Sequence, residues 1–240
     1  MELGNGKGAG SGGSVGIADR AGLVRVIEVW AHGWARARTH PAPRAVPGGF
    51  RIELGSPRDA VRYIVPAPDP GALRDLARTV AAPHTWLKIF APRAEVAPLL
   101  SDAWRLHGPQ YLMTAPPPPS DQVTPAPPGY RLDTEECDGI LDVRVWATGD
   151  AAGVPAASGR TALTGGTGGA PVSAVYDMIT TEPAHRRRGL GRLVMTTLGV
   201  HAARRGATEG VLVATPSGRE LYTALGWCLR SPVTEMVCEG

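Results

Sequence analysis

Residues 181–206 read TEPAHRRRGLGRLVMTTLGVHAARRG, and the fold turns on them. From Gly189 to Arg205 the apolar residues Leu190, Leu193, Val194 and Leu198 recur at helical spacing, with Arg204 and Arg205 in the last turn and Gly206 as the cap. The helix is entered through Arg186-Arg187-Arg188-Gly189-Leu190-Gly191, directly after Ser173 to Thr181, which reads as a strand. Glycines in such a turn let the backbone approach a ligand, and the first turn of a helix carries N–H groups without partners of their own. The helix dipole and the guanidinium groups of Arg187, Arg188 and Arg192 add favourable potential, so the turn suits an anion and a pyrophosphate in particular.

Working outward, Val211 to Ala214 reads as a short buried strand, Gly218 to Leu225 as a short helix closed by Gly226, and Val233 to Cys238 as a final strand. Upstream, Tyr130 to Leu132, Ile140 to Ala147 and Ala156 to Leu163 read as antiparallel strands. Three strands, then strand, Gly-rich turn, helix, strand, helix and strand describe an α+β sheet with a phosphate-type loop in its middle. Before these lies APPPPSDQVTPAPPG, Ala115 to Gly129, whose prolines deny the backbone the donors that a helix or ladder needs. Residues 115–128 are therefore expected to link an N-terminal unit, 17–114, to a C-terminal one, 129–240.

In the N-terminal unit Leu23, Val26, Ile27, Trp30 and Trp34 mark an amphipathic helix over Ile17 to Ala37. Phe50 to Leu54 and Val61 to Val65 alternate like strands, and Gly71 to Ala81 reads as a helix opened by Asp69-Pro70. Thr85 to Phe90 reads as a buried strand, followed by a helix from about Arg93 and a strand over Gln110 to Thr114. The tryptophans Trp30, Trp34, Trp86 and Trp104 are expected in the core.

Composition narrows the functional classes. The 240 residues include 31 glycines and 23 prolines, concentrated in a few stretches, and carry a formal net charge of +3. Lys7 and Lys88 are the only lysines. With no basic or aromatic stripe beside the arginine run, a nucleic-acid partner is not expected. Three well-separated cysteines, Cys137, Cys228 and Cys238, suggest neither a disulfide framework nor a metal site, and fit a reducing cytoplasm. Cys228 is expected to pack as a small apolar residue. Residues 1–16 read as a disordered leader, and no run of 18 apolar residues implies a membrane span. A dinucleotide fingerprint starting at Gly189 and Gly191 fails at its third glycine, which is Val194.

The segment Thr181 to Gly191 closely resembles the coenzyme A motif of the GNAT superfamily of N-acetyltransferases, R/Q-x-x-G-x-G/A after a strand. Thr215-Pro216-Ser217-Gly218-Arg219-Glu220-Leu221-Tyr222-Thr223-Ala224-Leu225-Gly226-Trp227 resembles the superfamily's next motif, N-x-x-A-x-x-L-Y-x-x-x-G-F. The resemblance covers about Ser173 to Trp227 and departs in two places. Thr215 stands where asparagine is frequent. The two helices that family members place between their first two strands, to build the acceptor site, have no counterpart between Tyr130 and Ser173.

The resemblance implies a GNAT-like central mixed sheet flanked by helices, with the α/β N-terminal half open to reading as a degenerate copy of the same fold. It implies acetyl-coenzyme A as cosubstrate, without a metal, and direct transfer of the acetyl group to a primary amine of a small molecule. A protein N-acetyltransferase and a non-catalytic acyl-coenzyme A sensor are the alternatives. It places Arg186, Arg187, Arg188, Gly189, Leu190, Gly191, Arg192 and Thr215 on the coenzyme, and the backbone of Ile179, Thr180 and Thr181 along its pantetheine arm. Tyr222 would protonate the departing thiolate. The base that takes the amine's proton is open between Asp177, Glu209 and a water chain, with Asp177 preferred. His185 is expected to fill the aromatic position before Arg186. A small-molecule acceptor, no nucleic-acid or membrane partner, and a monomer or homodimer complete the expectation.

Overall fold

The computed structural model describes residues 17–122, 124–149, 155–166 and 171–239. The expected leader, 1–16, lies outside the described residues, as does position 123 of the Pro-rich stretch. Five helices are described: α1 (Ile17–Ala37), α2 (Pro70–Thr79), α3 (Arg93–Val96), α4 (Leu190–Arg204) and α5 (Pro216–Ala224). The first six strands are β1 (Arg44–Val46), β2 (Gly49–Ser56), β3 (Asp59–Val65), β4 (Thr85–Ile89), β5 (Trp104–Leu106) and β6 (Gln110–Ala115). Then come β7 (Tyr130–Cys137), β8 (Ile140–Ala147), β9 (Ala157–Thr164), β10 (Val172–Thr181), β11 (Ala207–Ala214) and β12 (Cys228–Cys238).

The apolar periodicities account for the long elements. Asp69 caps α2 by accepting from the Gly71 and Ala72 N–H groups, with Pro70 behind it where a missing donor costs nothing. The helix expected from Arg93 is a single turn, because Pro92 and Pro98 bracket it and the chain continues as a 3-10 turn over Ala97–Leu99. β1 and β5, three residues each, carry too few residues for an alternation to show in the sequence.

The strands form one sheet in the order β1-β2-β3-β4-β12-β6-β11-β10-β9-β8-β7, with β5 paired to β12 off this path. Two pairs are parallel: β3 with β4, joined through α2, and β10 with β11, joined through α4. Each follows an antiparallel pair, β2 with β3 and β9 with β10. Hairpin, helix and parallel strand thus occur once on each side of the sheet. The two halves interleave rather than dock as separate sheets. β6 lies between β12 and β11, while β12 pairs with β6 at one end and with β4 and β5 at the other.

Helix α1 lies across the middle of this sheet. Its Val26, Ile27, Trp30, Ala31 and Trp34 share a core with Ile52, Ile64, Phe90, Leu112, Val175 and Val211, residues of both halves. Gly33 permits the closest approach: a Cβ there would lie 2.2 Å from Val175 Cγ2. Along its length α1 is tied down by Arg25 to Glu209 at 2.8 Å, and at its C-terminus by Arg160 Nη1 donating to the Ala37 carbonyl at 2.7 Å. On the opposite face α4 covers β8, β9 and β10 around Leu193, Val194 and Leu198. The Pro-rich segment packs along α4, where Pro118 fills the space beside Gly199 and Arg204 donates to the Ser120 carbonyl. Among the described residues no helix is long and apolar enough to cross a membrane.

Candidate active site

Parallel strands β10 and β11 pair from Val172 and Ala207 to Val175 and Val211, and then part. Beyond that point β11 stays paired to β6, while β10 follows β9. The register of β10 on β9 passes from Asp177 opposite Arg160 to Thr180 opposite Ser158, so one extra residue is accommodated. The bulge is at Met178, whose φ of 57° is unfavourable for a side chain of this kind and whose side chain is exposed. A cleft of about 1090 Å³ opens where the strands diverge, and it has two unlike ends.

One end is made by backbone. Gly189 caps α4 in the left-handed region, φ 79°, with no side chain satisfying the first turn. The N–H groups of Leu190, Gly191 and Arg192 have no partner within the helix by its geometry, and all three residues line the cleft with Arg186 and Arg187. Arg187 also takes a positive φ, 61°. Arg186 Nε donates to the Thr181 carbonyl at 3.2 Å, tying the loop to the strand before it. Ile179, Thr180 and Thr181 continue along the same wall. Thr215 lines the cleft and accepts from the Gly218 N–H at 3.2 Å, so its hydroxyl caps α5. Arg188 is turned elsewhere: it donates to the Tyr130 hydroxyl at 2.9 Å, which is itself bonded to His185 Nδ1.

Between the ends stand the residues expected to do the chemistry. Tyr222 is buried on α5, with its ring 6.0 Å from that of Trp227, and it lines the cleft. Burial, and then the charge of Asp177, push its phenol well above the usual range, so it stays a protonated donor at working pH. Asp177 also lines the cleft and receives both Nε and Nη2 of Arg38, at 2.5 and 3.2 Å. Glu209, the other candidate base, is held by Arg25 on the outside of α1.

The other end is made by side chains that the motifs do not contain. Trp30 and Trp34 of α1, Arg38 in the turn after it, Arg62 of β3, Lys88 of β4, Gln110 of β6 and Glu235 of β12 all line it. Lys88 and Glu235 are register partners, with Nζ 3.1 Å from Oε1. Gln110 bridges them, accepting from Lys88 Nζ at 2.5 Å and donating to Glu235 Oε2 at 2.8 Å. Burial lowers the Lys88 ammonium to about 8 against the pull of Glu235. Burial alone would raise Glu235, but Lys88 and Arg62 outweigh it and hold the carboxyl below its usual value. The lone lysine among the described residues and a glutamate inside an apolar strand were the signals available in the sequence, yet neither belongs to a motif. Trp30 and Trp34 are buried as expected, but as the roof of this pocket, and Trp86 is only half-buried. Cys228, expected to pack, is exposed because β12 begins at an outward-facing position.

The chain covers 91% of its own length and 96% of a GCN5-related N-acetyltransferase from Kribbella flavida, with a TM-score of 0.60 at 17% identity. The chain has the fold of the GCN5-related N-acetyltransferases. A GNAT-family acetyltransferase from Novosphingobium aromaticivorans, described as putative, matches over 87% of this chain and 95% of that one, with a TM-score of 0.51 at 20% identity. A conserved protein of unknown function from Staphylococcus epidermidis matches with a TM-score of 0.55 at 8% identity, over 89% of this chain and 96% of that one. The sequence model of the FR47-like protein family matches residues 159–237, which hold both quoted motifs. No protein of curated function matches by sequence. The GNAT fold here includes the first half of the chain, since the full-length matches extend well beyond both motifs.

Proposed function

We propose that this GNAT protein transfers an acetyl group from acetyl-coenzyme A to the primary amine of a small molecule. The observation that carries the reading is the cleft itself. It runs without interruption from a helix N-terminus fit for a pyrophosphate, past a bulged strand, to a walled pocket of aromatic and charged side chains. The pocket is closed over by α1, which favours a small acceptor over a protein chain.

In this reading the loop Arg186–Arg192, apart from Arg188, holds the pyrophosphate through N–H groups and guanidinium charge. The stretch of β10 from Met178 to Thr181, free on the edge that β11 has left, lies along the pantetheine arm and offers N–H groups to the thioester carbonyl. A neutral amine attacks the carbonyl carbon, its extra proton passing to Asp177 directly or through water. The C–N bond forms, the C–S bond breaks, and Tyr222 supplies hydrogen bonding and a proton to the sulfur as it leaves. Arg38 orients Asp177 through its two hydrogen bonds.

Tyr222→Phe tests this reading. kcat should fall about a hundredfold or more, with the coenzyme KM nearly unchanged, because the hydroxyl acts chiefly as the thiolate departs. An unaltered kcat under conditions where chemistry limits turnover assigns Tyr222 to packing against Trp227 and removes it from the reaction.

A further inference from the structure

At the acceptor end of the cleft, three cations, Arg38, Arg62 and Lys88, face two carboxylates, Asp177 and Glu235. Arg38 has Asp177 to itself through two hydrogen bonds, and Lys88 is the strand-register partner of Glu235. Arg62 is left with a share of a carboxylate already in use: its Nη2 is 3.5 Å from Glu235 Oε1, while Lys88 and His107 also contact Glu235. The Arg62 Nε is buried without a hydrogen-bond partner, and Glu235 Oε1 makes only ion contacts lacking hydrogen-bond geometry. The guanidinium lies over the Trp34 ring at 4.9 Å and the Trp86 ring at 5.3 Å. Those faces attract a cation but accept no N–H in its plane. A guanidinium held in a desolvated pocket with surplus charge and an unmade hydrogen bond is costly, and an anionic group brought by a ligand to its open edge offsets the charge.

We infer that the acceptor amine carries a carboxylate that docks on Arg62 while the amine faces Asp177, so that the substrates are amino acids or related amino carboxylates. This rests on the acetyl-transfer reading for its chemistry, and adds the acceptor's class to it. Among the side chains lining this end the surplus is a single positive charge, Asp59 attracting Arg62 only from beyond salt-bridge distance, and one charge matches a carboxylate, whereas a phosphate ester would bring about −1.5 to −2. The guanidinium fork matches a carboxylate's two oxygens. Asp177 retains acceptor capacity beyond its two bonds from Arg38, and it lines the cleft where the thioester carbonyl must lie. Trp30 and Trp34 then cover the hydrocarbon that joins amine and carboxylate. In the transfer the amine nitrogen gains the acetyl group and loses one proton, the thioester C–S bond breaks, and the carboxylate passes through unchanged.

The test compares acids with their decarboxylated partners on the full-length protein: L-phenylalanine with phenethylamine, L-leucine with 3-methylbutylamine, β-alanine with ethylamine, and 4-aminobutyrate with propylamine. Binding is read by calorimetry, and acetyl transfer by thiol release from acetyl-coenzyme A. At least one acid should exceed its partner tenfold or more in affinity or in kcat/KM. In Arg62→Gln that preference should collapse to within about twofold; calorimetry with acetyl-coenzyme A, whose pyrophosphate loop belongs to the other end of the cleft, reports whether the variant is folded. If Arg62→Gln does not fold, the wild-type pairs decide alone. Equal response to both members of every pair, binding of no acid, or a preference that survives Arg62→Gln overturns the inference. Transfer to both members alike removes the carboxylate and leaves the acetyltransferase reading standing, whereas acids that bind preferentially without turnover do the reverse.

Discussion

The two ends of the cleft are built in opposite ways. The end proposed for the coenzyme comes from one contiguous stretch, β10 through α5, and presents backbone N–H groups at a helix start whose conformation is set by Gly189. The end proposed for the acceptor comes from five elements, α1, β3, β4, β6 and β12, and presents side chains in a buried network. A site made of backbone depends on local conformation and leaves a readable motif. A site made of side chains depends on which strands become neighbours, and leaves isolated residues.

Separating the two ends physically gives the largest expected effect. A fragment beginning at Pro125 keeps every coenzyme motif but loses α1 and β6. It should not fold, because β6 fills the space between β11 and β12, and its loss exposes two strand edges and the core under α1. Soluble yield and a thermal melt check this; a cooperatively folding fragment that turns over acetyl-coenzyme A dissolves the contrast.

Gly191→Asp strikes the coenzyme end alone. A carboxylate against a pyrophosphate should weaken acetyl-coenzyme A at least a hundredfold by calorimetry. A Cβ at Gly191 also meets Leu221 Cδ2 at 3.0 Å, so Gly191→Ala is the control for packing and should lose far less affinity. Equal losses in the two variants make Gly191 a helix-packing residue.

Asp177→Asn tests the seam between the ends. With the proton acceptor gone but the shape kept, kcat/KM for the amine should fall about ten- to a hundredfold while coenzyme affinity is retained. The loss should shrink as pH rises and hydroxide takes over as acceptor of the proton that the attacking nitrogen sheds. A flat ratio across pH gives Asp177 only the task of holding Arg38.

The smallest effect sharpens the acceptor end. Lys88 has a folded-state value of about 8, below its ordinary 10.4, so between those values the unfolded chain binds more protons and stability rises with pH. Compared with Lys88→Met, the wild type should therefore gain roughly 1–3 kcal/mol between pH 7.5 and 10 by urea unfolding. Taking the difference removes the opposing contributions of Tyr176 and Tyr222, whose buried phenols resist ionisation in the fold. A constant difference shows that Lys88 is not desolvated.

Most long elements were legible because their apolar residues repeat at the spacing of the structure they form: α1 through Trp30 and Trp34, β8 through Leu141, Val143 and Val145, α4 through Leu193 and Leu198. The short β1 and β5 were not, since three residues carry no period. The bulge at Met178 was hidden because the residue there is not a glycine, and the strain is imposed by pairing with β9. Arg188 looked the equal of its neighbours in the arginine run; only the fold brings Tyr130 close enough to draw it away.

By itself, then, the sequence determined the loop from Arg186 to Arg192 and the helices it serves, since glycine φ angles, capping and helical periodicity act between residues close in the chain. It also indicated that 129–240 lacked a wall. What only the tertiary structure decided is that α1 is that wall, and that β12 runs from β6 on to β4 so that Glu235 meets Lys88, with Arg62 beside them. Contacts of that kind come from strand order and the burial of a shared core, which depend on the whole chain at once.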